Sequence, residues 1–254
     1  MFSILIYIIA GLGAGIGTGL AGLSAAAVIS PMLISFLNFP AYEAVGIALA
    51  SDVLASAISA YTYYKNKKID IKNGLVMLLF VLIFTLIGSY IASLIPDKTM
   101  GSFSVFMTFF LGIKFIVRPV LATQSNQNDK PLKTRMIQSA LCGILIGFIC
   151  GFIGAGGGMM LLLILTSVLG YELKTAVGTS VFIMTFTAFT GALSHMVIGG
   201  LPNLSALFWC VLATLIGARV AAVFANKSTP EKLNRFTGIV LAILGAGMIL
   251  VHYL

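Results

Sequence analysis

The sequence predicts an all-α polytopic integral membrane protein built from two repeated halves, on three observations: its composition, its long apolar runs and an internal repeat. Of 254 residues, 59% are hydrophobic and 9% charged, with a mean hydropathy of +1.10. Too little polar surface is available to enclose a water-soluble globule of this size, so lipid must solvate the chain. Apolar runs cover 4–39, 44–64, 74–95, 103–121, 137–170, 176–201, 204–225 and 236–254, about four in each half. Residues 143–192 repeat residues 11–60 at an offset of 132 positions. Gly15, Gly19 and Gly22 fall on Gly147, Gly151 and Gly154, and Ala44-Val45-Gly46 falls on Ala176-Val177-Gly178 without a gap. After a three-residue change of offset, Leu86-Ile87-Gly88 matches Leu215-Ile216-Gly217. Chance likeness between Gly/Ala-rich stretches does not hold register over fifty residues.

Six of the runs have the length of one span of roughly 20 residues. The first and fifth, at equivalent places in the repeat, are too long. As one straight helix, 4–39 would reach about 54 Å, against a hydrocarbon core of about 30 Å. Both carry glycines near their middle, each costing about 1 kcal/mol relative to alanine inside a helix. Segments 1 and 5 are therefore expected to be broken, either as two half-helices in series or as re-entrant hairpins. Unwound backbone at membrane depth persists only when buried in protein or lining a watery cavity, so the breaks mark the expected site.

Charge separates the two versions. If all eight segments cross, Lys174, Lys227, Lys232 and Arg235 lie outside, while Lys65, Lys67, Lys68, Lys72, Lys130, Lys133 and Arg135 lie inside. If segments 1 and 5 are hairpins, each half crosses three times, the repeats are inverted and all eleven cations lie inside, with Lys98 the main exception. The positive-inside rule favours the second arrangement. A single transporter domain follows, with repeat 1 at 1–122, a cytoplasmic linker at 123–134 rich in Gln, Asn and Lys, and repeat 2 at 135–254. Residues 1–10 have no cationic leading region, so the first segment is expected to be retained. The formal net charge of +8 calls for no nucleic acid: the lysines beside Tyr61, Tyr63 and Tyr64 suit an interfacial anchor facing anionic lipid.

Metal and cofactor chemistry find no support. Cys142, Cys150 and Cys210 lie within apolar runs, and no Cys-x-x-Cys pair or Cys/His cluster occurs. His195 and His252 stand alone near segment ends, where an interfacial role is the simplest reading and a proton relay the alternative for His195. An intramembrane enzyme would need a catalytic set such as Ser/Lys or paired Asp, and one deep carboxylate is all the runs contain.

The chemistry-bearing motif is Gly154-Ala155-Gly156-Gly157-Gly158. Consecutive glycines let backbone N–H groups converge on an anion, and a half-helix starting there adds its positive dipole end. Gly143, Gly147 and Gly151, at fourfold spacing, suit close helix packing instead. Thr179 and Ser180 start segment 6 near where the broken segment would return; their hydroxyls suit substrate contact or an N-cap. In the first half the Gly-rich turn is replaced by Gly22-Leu23-Ser24-Ala25-Ala26-Ala27, with Pro31 where the second half has Leu163, and Ile47-Ala48 replaces the Thr-Ser pair. Gly22 and Ser24 would then serve the same pocket asymmetrically.

Asp52, beside Ser51 and near Ser56, lies eight residues into segment 2, where an ionised carboxylate costs about 2.5–3.5 kcal/mol on insertion scales. Its repeat equivalent is Met184. Asp52 is the candidate proton-coupling group, with Ser51 beside it as a candidate substrate contact. Arg219 is a possible charge partner for the substrate or for Asp52, or a snorkeller to the cytoplasmic surface. Lys114 and Arg118 read as snorkellers.

With these residues in view, the chain resembles the TauE/SafE sulfite exporter family, also called the TSUP permeases. The resemblance rests on Gly147 to Gly158 in the form G-x-x-x-G-x-x-G-x-G-G-G, on Ala176-Val177-Gly178-Thr179-Ser180, and on the return of the same plan from Gly15 onward. It implies secondary transport of small sulfur-containing anions such as sulfite, thiosulfate or organosulfonates, with export common and proton coupling compatible, in a bacterial cytoplasmic membrane. An anion channel and a non-transport membrane scaffold are the rival functions.

Overall fold

The computed structural model describes residues 2–96, 132–153 and 157–229, with the isolated positions 232, 235 and 239. Runs 103–121 and 236–254 lie outside the described residues apart from position 239, as do Gly154, Gly156, Lys98, Lys114, Arg118, Lys130 and His252. The described chain is all helical: α1 (Phe2–Ala21), α2 (Ala26–Leu37), α3 (Ala41–Lys65), α4 (Ile71–Ala92), α5 (Leu132–Ile153), α6 (Gly157–Ser167), α7 (Leu173–Gly199) and α8 (Leu204–Lys227). Five of them, α1, α3, α4, α7 and α8, contain stretches long and apolar enough to cross a bilayer. Of the linker, 123–131 lies outside the described residues, and its last three positions form the start of α5.

Both overlong runs are broken. The first stops at Ala21 because Gly22 turns to φ +64°, a left-handed conformation that costs glycine nothing. Helix α2 resumes at Ala26 and ends on Asn38, itself left-handed, whose N–H reaches back to Ile34 O while the Phe39 N–H reaches Leu33 O. Its 12 residues span only about 18 Å. The chain then returns to where it began: the Phe39 ring meets Tyr7, near the start of α1, edge to face at 6.4 Å. The first run folds back on itself as a helical hairpin rather than running on as a pair of half-helices in series.

The fifth run behaves alike from the other end. After α5 and the short α6, Tyr171 donates its hydroxyl hydrogen to Asp70 Oδ2 at 2.9 Å, in the α3–α4 connection. Lys68 in that connection pairs with Glu172 at 3.0 Å, and Lys174 Nζ donates to Asn226 O at 2.8 Å. One end of the molecule therefore gathers the C-termini of α3 and α8 and the N-termini of α4 and α7, with Lys65, Lys67, Lys68, Lys72, Lys174 and Lys227. At the opposite end, Asn203 N–H donates to Glu43 Oε1 at 2.8 Å. This segregation of cations matches the hairpin arrangement that the positive-inside rule favours.

Glycine stripes set the helix pairs. Helix α1 lies along α8: a Cβ on Gly11 would stand 2.7 Å from Ala213 Cβ, and one on Gly19 would stand 2.7 Å from Ala221 Cβ. Helix α5 lies along α4 in the same way, with Gly143 facing Met77 O at 2.9 Å and Gly151 facing Ser89 N at 2.8 Å. Contacts advance in the same direction on both partners, so each pair runs parallel. Without a hydrophobic gain between helices in lipid, such close backbone approach maximises van der Waals contact. Helices α3 and α7 pack antiparallel in the centre, with Gly46 against His195 and Gly178 against Tyr63. Large apolar side chains such as Leu79, Tyr90, Phe189, Val197 and Phe208 point outward, as suits a lipid-facing surface.

Valine at Gly147, whose Cβ would strike Val81 O and approach Phe84 Cβ at 3.0 Å, is expected to destabilise the α4–α5 pair by about 1–3 kcal/mol. A lowered melting midpoint of the detergent-solubilised protein checks this; an unchanged midpoint contradicts the packing.

Candidate functional site

The two breaks meet. Gly158, at the start of α6, sits so close to the first turn that a Cβ there would collide with Gly22 O and with Met184 Sδ, and would stand 2.8 Å from Ser24 N. Gly22 in turn faces Ser180 Oγ on α7. Gly157 packs on Cys150, where a Cβ would stand 2.9 Å from Sγ. The N-terminal ends of α2 and α6, two short helices with positive dipole ends, are thereby brought to one place inside the protein; at α2 the N–H groups of Ala26, Ala27 and Val28 are taken by the Ser24 hydroxyl, Ser24 O and Ala25 O.

Asp52 is set into this junction. It is 1% exposed, and the Ser24 hydroxyl and Ala25 N–H face its carboxylate, with the Thr18 hydroxyl close by. Thr18 itself donates to Ala14 O at 3.0 Å. The Ser24 oxygen accepts the Ala26 N–H at 3.3 Å. One carboxylate oxygen, Oδ1, is buried with no hydrogen-bond partner. Burying an acceptor unpaired costs on the order of 1–3 kcal/mol, so the position calls for a proton or a ligand to complete it.

Of the sequence-predicted site residues, Gly22, Ser24, Asp52, Gly157, Gly158 and Ser180 come together here. Ser180 also donates to Val177 O at 2.8 Å within its own helix. Ser51 is buried on α3 and donates to Ile47 O at 2.8 Å. Thr179 faces elsewhere: its hydroxyl oxygen accepts the Asp70 N–H at 3.0 Å and so ties α7 to the α3–α4 connection. Arg219 is not brought to Asp52; it is exposed and lines a cleft with Lys65 at the cationic end.

Sequence reasoning missed a second pair of residues. Tyr63 donates to Gly19 O at 3.2 Å, and His195 places Nε2 at 3.2 Å from Gly151 O and Nδ1 at 3.2 Å from Tyr42 O. The His195 ring stacks on Tyr42 at 4.1 Å beside a cavity of about 220 Å³ that opens past Glu43, Gly199 and Pro202. The signal was present in the repeat, because the offset that carries Gly19 onto Gly151 also carries Tyr63 onto His195. Both side chains hold the last glycine carbonyl region before a break.

A family comparison decides what class of protein carries this junction: the model of the sulfite exporter TauE/SafE family matches residues 7–248. The chain belongs to that family. It is a membrane transporter family and not a family of enzymes. Similar proteins include the probable membrane transporter protein YunE of Bacillus subtilis, 27% identical with 97% of each chain covered. YdhB of the same organism, also named a probable membrane transporter protein, is 24% identical over 91% of this chain and 94% of its own. The probable membrane transporter protein MJ0441 of Methanocaldococcus jannaschii is 23% identical over 96% and 94%. No solved structure matches the chain. Among the described residues no cluster of His, Cys, Asp or Glu could hold a metal ion.

Alanine at Gly158 is expected to wedge the two turns apart at a cost of about 1–3 kcal/mol and to reduce transport far more than Gly74→Ala, whose added Cβ meets only side-chain atoms, the nearest being Thr179 Cγ2 at 3.3 Å. Equal flux in the two variants, measured at matched protein levels, would contradict a functional junction.

Proposed function

We propose that the protein is a secondary transporter of a small sulfur-containing anion such as sulfite, thiosulfate or an organosulfonate, working by alternating access at the junction of the two hairpins and coupled to protons through Asp52. The observation that carries this reading is the buried, unpartnered Asp52 oxygen beside two converging helix N-termini. Backbone N–H groups at Gly157 and Gly158, with the Ser24 and Ser180 hydroxyls and the positive dipole end of α2, offer a neutral setting for an anion. An ionised Asp52 repels that anion at short range in a low-dielectric setting, and a protonated one donates to it. Proton and anion binding would therefore support each other, which is the requirement for coupled movement.

The two halves are read as inverted repeats, with 1–122 and 135–254 related by an axis in the membrane plane and 123–134 as a cytoplasmic linker. Support comes from reciprocal contacts: Gly46 faces His195 as Gly178 faces Tyr63, and equivalent helices α3 and α7 run antiparallel, as inverted copies must. Transport would proceed as one half rocks against the other around the junction. Abundant cations on one face support the reading of that face as cytoplasmic and of the protein as resident in a bacterial cytoplasmic membrane.

Liposomes carrying the purified protein, assayed with sulfite, thiosulfate, sulfonates and non-sulfur anions with and without a pH gradient, test the reading. Saturable flux of a sulfur anion that responds to the gradient is expected. Asp52→Asn should flatten the pH-gradient response while leaving the substrate's apparent Kd within about threefold, a difference under 1 kcal/mol. Gradient-driven flux unchanged in that variant excludes the coupling role. Flux that does not saturate would point to a channel.

A further inference from the structure

At the cationic end, outside the junction, α3 and α8 diverge to leave a cleft of about 300 Å³ lined by Ile58, Tyr61, Thr62, Lys65, Asn66, Arg219 and Val223. Its charge is all of one sign. Among the described residues neither Lys65 nor Arg219 forms an ion pair; the pair recorded at this end joins Lys68 to Glu172, and no acid lines the cleft. Lys65 Nζ stands over the Tyr61 ring, 5.5 Å from its centre, a contact that keeps the exposed ammonium beside the cleft. The neighbouring polar groups are already engaged along their own helix: Thr62 donates to Ile58 O at 2.8 Å and Asn66 Nδ2 to Thr62 O at 2.7 Å. Two cations are thus left facing a cavity without a counter-charge.

Arg219 is also set back from the end of its helix. Eight residues separate it from Lys227, about 12 Å along the axis, in an otherwise apolar span. A cation at that depth is costly unless a polar partner is drawn in to meet it. The cleft walls continue into the outward-facing apolar surface: Leu54 on α3 and Ile216, Val220 and Phe224 on α8 are all exposed. A ligand that fits must carry its negative charge at one end and long apolar chains at the other.

We propose that this cleft binds the phosphodiester of an acidic phospholipid, with Arg219 and Lys65 donating to the phosphate oxygens and the acyl chains lying along α3 and α8. Guanidinium suits this task because its fork of donors matches phosphate oxygens. Basic pockets between membrane helices on the cytoplasmic side bind such headgroups elsewhere. Because α3 belongs to the first half and α8 to the second, a bound lipid would bridge the two halves, a role separate from the anion junction and independent of what is transported.

Delipidated full-length protein, examined by native mass spectrometry and by thermal melting with added phosphatidylglycerol, phosphatidylcholine or inorganic phosphate, tests the assignment. Wild type is expected to retain phosphatidylglycerol in preference to phosphatidylcholine and to melt higher with it. Each cation near an anionic lipid contributes roughly fivefold, so Lys65→Gln/Arg219→Gln should lower that preference by about 30-fold. A control, Lys67→Gln/Lys72→Gln, alters two exposed lysines of the same face outside the cleft and should keep most of it. Equal retention of the two lipids by wild type, equal loss in both double variants, or stabilisation by inorganic phosphate that matches the lipid's would each overturn the proposal. Should the double variant not fold, Arg219→Gln alone must still lose about fivefold, and an unchanged preference there overturns it equally.

Discussion

Backbone polar groups cannot be left unpaired in hydrocarbon, and that constraint organises this molecule. Two apolar runs are interrupted by turns, and each interruption leaves peptide groups that neither lipid nor a continuous helix can satisfy. The fold resolves this by placing the interruptions against each other. Gly158 closes on Gly22 and Ser24 so tightly that no side chain fits between them, and α3 and α7 flank the contact with Asp52 and Met184. The remaining architecture keeps that meeting point dry and central: α8 braces α1, α4 braces α5, and the glycine stripes let both braces approach to backbone distance.

The same economy underlies the proposed function. Short helices that begin inside the protein bring their positive dipole ends with them, so hiding the breaks also gives a place where a negative solute could be held without a fixed cation. A fixed cation would bind the solute tightly on both faces of the membrane and slow its release. In the proposed mechanism Asp52 adds what the donors lack, a group whose charge changes with the gradient. On that proposal the asymmetry between Asp52 and Met184 divides the work: one half supplies the titratable group, while the other supplies the glycine that lets the turns touch.

Much of this was legible in the sequence, but not all for the same reason. The excess length of 4–39 and 137–170, their glycines and the place of Asp52 pointed to broken segments around a site, since helix length and apolar thickness are local quantities. Charge counts favoured hairpins, and the Tyr7–Phe39 contact bears that out for the first run. Thr179 misled because adjacency to Ser180 says nothing of direction: a helix turns about 100° per residue, so one hydroxyl faces the junction and the other the α3–α4 connection. Arg219 was left open between charge partner and snorkeller because an isolated cation in an apolar run gives no hint of which neighbour it meets; its exposed place beside Lys65 fits the second.

What the sequence determined by itself is therefore the class: a helical membrane transporter of the TauE/SafE family, with two apolar runs too long to be single spans. Composition, run length and register suffice for that because each is set by the chain's exchange with lipid, one segment at a time. Only the tertiary structure decided that the breaks touch, that Ser24 and Ala25 face Asp52, that Tyr63 and His195 hold matching glycine carbonyls, and that Lys65 and Arg219 share a cleft. Those facts depend on how helices distant in sequence rotate and slide against one another, and no local pattern of residues encodes a rotation.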